Sequence, residues 1–96
     1  MLLFKCPNTK ISQCKYIRDQ FIIGMRQMID CGFDGVQIHC AHGYLLHDCI
    51  EAGGSARAFV LELLKDLREE IDDRQLTNRF QLLVKINAES KYLSFI

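Results

Sequence analysis

His39, His42 and Tyr44 fall within six residues, inside the stretch Gly32–Leu46 that reads GFDGVQIHCAHGYLL. Two imidazoles and a phenol are proton-handling groups. They follow directly on the apolar segment Val36–Ile38. A short buried strand that delivers such side chains to its C-terminal end is the usual build of an α/β active site. A second unusual position is Lys85, inside the apolar run FQLLVKI of residues 80–86. An unpaired ammonium buried in such a run is costly. Its plain reading is a strand-end lysine whose charged head reaches solvent.

Spacing alone leaves other readings open. Two histidines three apart are as often surface or supporting residues as a functional pair. Tyr44 alone reads as a partly buried aromatic with a wet hydroxyl. A metal reading adds His47, Cys40 and Cys49, whose donor atoms suit zinc. Their spacings match no standard site, however, and no metal ligand is assigned.

The elements that must position these groups follow from hydrophobic periodicity. From about residue 12 to 30, Ile17, Phe21, Met25, Met28 and Ile29 recur at three- and four-residue steps and form one apolar stripe of a helix. The stripe is read as core packing. Gly32 follows and suits a left-handed C-cap. Residues 33–39 form a first strand, bounded by Gly32 and Gly35. Residues 42–50 form a short helix or a turn. EAGGS, residues 51–55, is a loop signal, and Ser55 can cap the next helix, from about 56 to 71. Val60, Leu63, Leu64, Leu67 and Ile71 give that helix an apolar face. A polar connection over 72–79 leads to the second strand, 80–86, whose apolar run suits a parallel sheet covered on both faces. The order helix, strand, helix, strand predicts an α/β fold with right-handed crossovers and parallel strands. Residues 1–11 lack a period, contain the only proline, Pro7, and read as a disordered lead-in to one domain over 12–96.

Composition excludes several classes. The chain has 96 residues, 49% hydrophobic and 25% charged, which allow one small globular domain. Twelve basic and twelve acidic residues cancel, and no basic stripe interleaves with aromatics, so nucleic-acid binding has little support. No apolar run approaches the roughly 20 residues of a membrane span. The N-terminal residues are too interrupted for a signal peptide. Five cysteines with no CxxC pair fit neither a disulfide framework nor a zinc ribbon, and they read as free thiols of a cytoplasmic protein.

At GFDGVQIHCAHGYLL the chain resembles the Old Yellow Enzyme family, the NADH:flavin oxidoreductases. The family's fourth strand reads much like GFDGVQIH, followed by His-x-x-His/Asn-Gly-Tyr-Leu, here His39 to Leu45. Gly53-Gly54-Ser55 with Arg57 and Phe59 resembles the family's Tyr-Gly-Gly-Ser loop and the entry to the next helix. Leu83-Val84-Lys85-Ile86-Asn87 resembles strand five. The three pieces keep the family's order over about residues 12–90.

The resemblance implies a (β/α)8 TIM barrel that binds FMN at the strands' C-terminal ends, takes a hydride from NADH or NADPH, and reduces an activated alkene (an enone) or a quinone. It implies that His39 and His42 grip the substrate carbonyl oxygen, where negative charge develops. Tyr44 corresponds to the proton donor to the alkene carbon opposite the hydride, a role that a phenol, protonated at neutral pH, can fill. Lys85 corresponds to the cation beside the flavin ring. The departures are specific. The Tyr44–Gly53 segment is shorter than in the family, Ala52 replaces the tyrosine before the glycine pair, and the Asn-Arg after Ser55 is absent. A closed barrel takes about 250 residues, so 96 hold about two of its eight βα units. The expectation is a truncated relative that is inactive as an isolated fragment. Its alternatives are a non-enzymatic remnant and an interaction partner of a full-length relative, with another chain completing the barrel.

Overall fold

The structure is a computed structural model and describes residues 11–88. The lead-in expected over residues 1–11 lies, except for its last residue, outside the described residues.

The described residues form three helices and two strands: α1 (Ile11–Asp30), β1 (Gly35–Cys40), α2 (Leu45–Ala52), α3 (Gly54–Asp73) and β2 (Gln81–Ile86). The two strands pair in parallel, with Gly35 opposite Gln81, His39 opposite Lys85 and Cys40 opposite Ile86. The strand–helix–strand order therefore gives the parallel pairing that the sequence predicts. Parallel neighbours need a crossover long enough to return the chain to the same end, and α2 with α3 supplies it.

The helices cover one face of the sheet. Ile38 and Cys40 point into that face with Leu46, Cys49, Phe59, Val60, Leu63, Leu67 and Ile71, all buried. Met25 reaches the same core from α1, with Ile17, Phe21, Ile22 and Ile29 packed partly against it. Four of the five predicted stripe residues of α1 thus pack on the core, as does the apolar face of α3; Met28, the fifth, is 37% exposed, and Ile22 packs there although the stripe did not include it. Polar pairs tie the two helices outside the core: Arg26 donates two hydrogen bonds to Glu70, at 2.9 and 3.0 Å, and Arg18 lies 3.1 Å from Asp66.

The end of α1 shows why the first strand starts later than expected. Gly32 has φ +87°, its N–H donates to Ile29 O, and Phe33 N–H reaches back to Met28 O. This Schellman arrangement confirms the Gly32 cap. It also uses Phe33 as the closing residue of the helix, so β1 begins at Gly35 rather than Phe33.

Four other expectations are corrected. The five-residue loop over 51–55 shrinks to Gly53 alone, since α2 runs to Ala52 and α3 begins at Gly54. Ser55 therefore lies inside α3 and does not cap it; Gly53 holds the N-cap position with no side-chain hydrogen bond. Gly53 adopts φ 71°, ψ −167°, a conformation open essentially to glycine, which lets one residue break two helices. The second strand is not covered on both faces by described residues: Leu83, Val84 and Ile86 are 50%, 41% and 52% exposed. Finally, Cys14, Cys31 and Cys40 are free thiols, but Cys49 is disulfide-bonded, against the reading that all five are free.

Candidate functional site

Side chains alternate along β1, so burying Ile38 and Cys40 against the helices turns Gln37 and His39 to the opposite, open face. Parallel register then sets Lys85 beside His39 on that face, because directly paired residues point the same way. The chain leaves β1 through Ala41 and makes a sharp turn at His42 and Gly43, both left-handed with φ 59° and 75°. That turn folds His42 and Tyr44 back over His39. The His39 ring stands edge-on to His42 at a centroid distance of 5.1 Å, and to Tyr44 at 5.0 Å. The four residues named from the sequence thus share the C-terminal edge of the two strands.

Hydrogen bonds fix the protonation pattern. Ala41 N–H donates to His39 Nδ1 at 3.1 Å. In the neutral ring the proton then sits on Nε2, which is left as a donor. Partial desolvation, followed by the nearby charges of His42, Lys85 and His47, lowers the His39 pKa below its ordinary 6.5 and favours that neutral donor form. Tyr44 is 61% exposed, with its hydroxyl available to a ligand. An open cleft of about 470 Å³ is lined by Phe21, His39, His42, Tyr44, Leu45 and Leu46. Apolar walls with a few convergent donors are the usual composition of a small-molecule site.

Sequence reasoning assigned Phe21 only to the core stripe, yet it also walls this cleft. It named His47 only in the metal reading and Asn87 only as the end of the strand-five resemblance, and gave neither the supporting role it has. Asn87, just past β2, accepts from His42 N–H at 3.0 Å, and His47, in the first turn of α2, accepts from Gly43 N–H at 2.8 Å. The cysteines lie elsewhere. Cys40 faces the helix side of the sheet, away from His39, and burial pushes its thiol pKa up. Among the described residues no three His, Cys, Asp or Glu side chains converge as metal ligands. None of the described helices is long and apolar enough to cross a membrane.

Fold and edge cluster together define a parallel strand–helix–strand unit with polar donors gathered at the C-terminal end of its strands. Comparison with known proteins places that unit. An NADH:flavin oxidoreductase of Gibberella zeae is 32% identical over 84 aligned positions, covering 75% of this chain and 19% of the relative. Enoate reductase 1 of Kluyveromyces lactis is 34% identical over 84 positions, with 75% and 21% covered. A putative 12-oxophytodienoate reductase of Oryza sativa subsp. japonica is 48% identical over 40 positions, with 42% and 11% covered. No family model matches the chain, and no solved structure does either. The chain is related in sequence to the Old Yellow Enzyme family of flavin oxidoreductases. It spans about a fifth of the length of the first relatives named.

Proposed function

We propose that this chain is a two-unit piece of a (β/α)8 barrel and carries the substrate-gripping and proton-donating part of an FMN-dependent NAD(P)H oxidoreductase acting on activated alkenes or quinones. One observation carries the reading: His39, His42, Tyr44 and Lys85 meet at a single strand edge beside an apolar cleft. Relatives whose names specify NADH:flavin oxidoreductase and enoate reductase support it.

The residues present fit one side of such a site. Lys85 gives a cation on the open face beside His39 and is the residue that would hold the flavin there. FMN, when bound, would supply hydride drawn from NADH or NADPH to one alkene carbon. His39 Nε2–H and the His42 ring hold the carbonyl oxygen, and their hydrogen bonds strengthen as negative charge builds there. Tyr44 gives its phenolic proton to the other alkene carbon, which completes addition of H⁻ and H⁺ across the double bond. Phe21, Leu45 and Leu46 give the substrate an apolar wall on that side.

Enone contact is separable from turnover. Titrating 2-cyclohexenone into the isotopically labelled chain is expected to shift the His39 and His42 ring signals and those of Tyr44, and the His39→Ala variant is expected to weaken the response. Unmoved ring signals at tens of millimolar enone, with the β1–β2 amides intact, would overturn the reading.

A second reading has its own observation. The exposed Leu83, Val84 and Ile86 leave β2 poorly covered among the described residues. A non-enzymatic role, pairing with another chain that completes the sheet, follows from that strand alone.

A further inference from the structure

The loop that aims His42 and Tyr44 is held by side chains. Three consecutive amides, those of Ala41, His42 and Gly43, donate in turn to His39 Nδ1, Asn87 Oδ1 and His47 Nδ1, at 3.1, 3.0 and 2.8 Å. None of the three amides has a strand or helix partner, since the turn belongs to neither, so side chains supply the acceptors that order it. The turn is also strained: His42 is a non-glycine residue at φ 59°, followed by Gly43 at 75°. Such a conformation persists only where the surroundings over-determine it.

We propose that His47 is a positioning residue, whose unprotonated Nδ1 holds the Gly43 N–H and so fixes the left-handed turn that folds His42 and Tyr44 over His39. The Gly43–His47 bond is the shortest of the three tethers. Its acceptor sits on a firm base. The His47 side chain is 16% exposed, and its other nitrogen, Nε2, lies 3.3 Å from Glu51 Oε1 one turn along α2. A neutral imidazole has one donor and one acceptor nitrogen. With Nδ1 accepting from Gly43, the proton is on Nε2 and donates to the Glu51 carboxylate. Glu51 therefore selects the tautomer that can clamp the loop, in the way that carboxylates orient functional imidazoles elsewhere. Asn87 holds the same turn from the β2 side. The turn is thereby fastened to both elements that flank the site. What the fixed turn serves rests on the oxidoreductase reading; the clamp itself does not.

Conservative variants separate positioning from bulk. In His47→Asn the side-chain oxygen can stand near the Nδ1 position, whereas in His47→Gln it stands near Nε2. Long-range ¹H–¹⁵N NMR of the full chain reads the His47 tautomer, and amide hydrogen exchange reads the Gly43 bond. The expected results are an Nε2–H tautomer in the parent chain and a protected Gly43 amide in His47→Asn. His47→Gln and His47→Ala are expected to exchange Gly43 roughly tenfold faster while the β1 and β2 amides keep their protection. An Nδ1–H tautomer, or a Gln variant as protective as the Asn variant, would overturn the proposal. If the Ala variant does not fold, the tautomer and the Asn–Gln contrast still decide. Neither readout involves enone or flavin, so the clamp can hold while the oxidoreductase reading fails, and the reverse.

Discussion

His39 shows how a residue acquires a role from its neighbours. Alternation along β1 puts it on the open face, the Ala41 amide sets its tautomer, and partial desolvation with His42, Lys85 and His47 lowers its pKa. The sign of the pH effect follows. The unfolded ring takes up its proton near 6.5 and the folded ring below it, so between those values the unfolded chain holds more protons. Stability therefore rises with pH through that window and falls on acidification from 6.5. NMR titration of the ring signals should give a His39 midpoint below 6.5, and His42→Ala should move it upward by removing a like charge. A His39 midpoint above 6.5 contradicts the geometry. At this scale the motif residues were legible in the sequence because their types and spacing are compact. Asn87 and His47 were not. Their acceptor roles exist only once the chain turns left-handed at His42, and a left-handed non-glycine residue leaves no pattern in sequence.

Elements were legible where periodicity is strong and less so where one residue decides a boundary. The stripes of α1 and α3, Met28 excepted, and the Gly32 cap stand where the 3.6-residue period puts them. The EAGGS segment misleads because two glycines read as a loop, whereas Gly53 alone makes the break. Gln75 is a parallel case. It closes α3 at φ 61°, with Leu76 N–H returning to Ile71 O, in a place where glycine is the usual residue. The weight on Gly53 gives a prediction. An alanine there would carry a Cβ at φ 71°, 3.2 Å from Arg57 Nη2, while Arg57 Nε already donates to Ile50 O at the end of α2. Gly53→Ala should destabilise the fold by about 1–3 kcal/mol in chemical denaturation, and Ala52→Gly by clearly less than that. Equal effects would show that helix propensity rather than backbone geometry governs the site. Between α1 and α3, Glu70 is the shared acceptor of Arg26 and Arg74, whose Nε lies 2.7 Å away. The Arg26 hydrogen bonds hold its carboxyl below the ordinary 4.5 against the opposing pull of desolvation. Its stabilisation is present above 4.5 and is lost as pH falls through the lower folded value. Glu70→Gln should lower the melting temperature by a few degrees at pH 7, and by less once the pH is brought below the parent carboxyl's own folded midpoint, where that charge is lost as well. An equal drop at both pH values would mean that packing, not charge, joins the helices.

At the scale of the whole molecule, parallel pairing was legible, since strand–helix–strand order leaves little choice of topology. The cover on the sheet was not, because an apolar run says that a strand is buried in something without saying in what. Here Leu83, Val84 and Ile86 stay about half exposed beside Lys85 on a two-stranded sheet. A closed barrel surrounds its ligand with eight strand ends and holds phosphate after the seventh and eighth. The described residues supply two strand ends, and a flavin resting on them keeps much of its surface in water. Micromolar affinity requires about 8 kcal/mol of net binding free energy, more than one cation and three polar rings at an open edge provide after the cost of ordering the ligand. A polypeptide of these 96 residues is therefore expected to bind FMN more weakly than micromolar, to leave NADPH unoxidised, and to self-associate through β2, half exposed among the described residues, as concentration rises. Flavin fluorescence during titration checks the first, absorbance of NADPH the second, and concentration-dependent gel filtration the third. Tight FMN binding by a monomer, with enone-dependent NADPH oxidation abolished in Tyr44→Phe, would mean that two strand ends suffice and that the missing cover is not needed for chemistry.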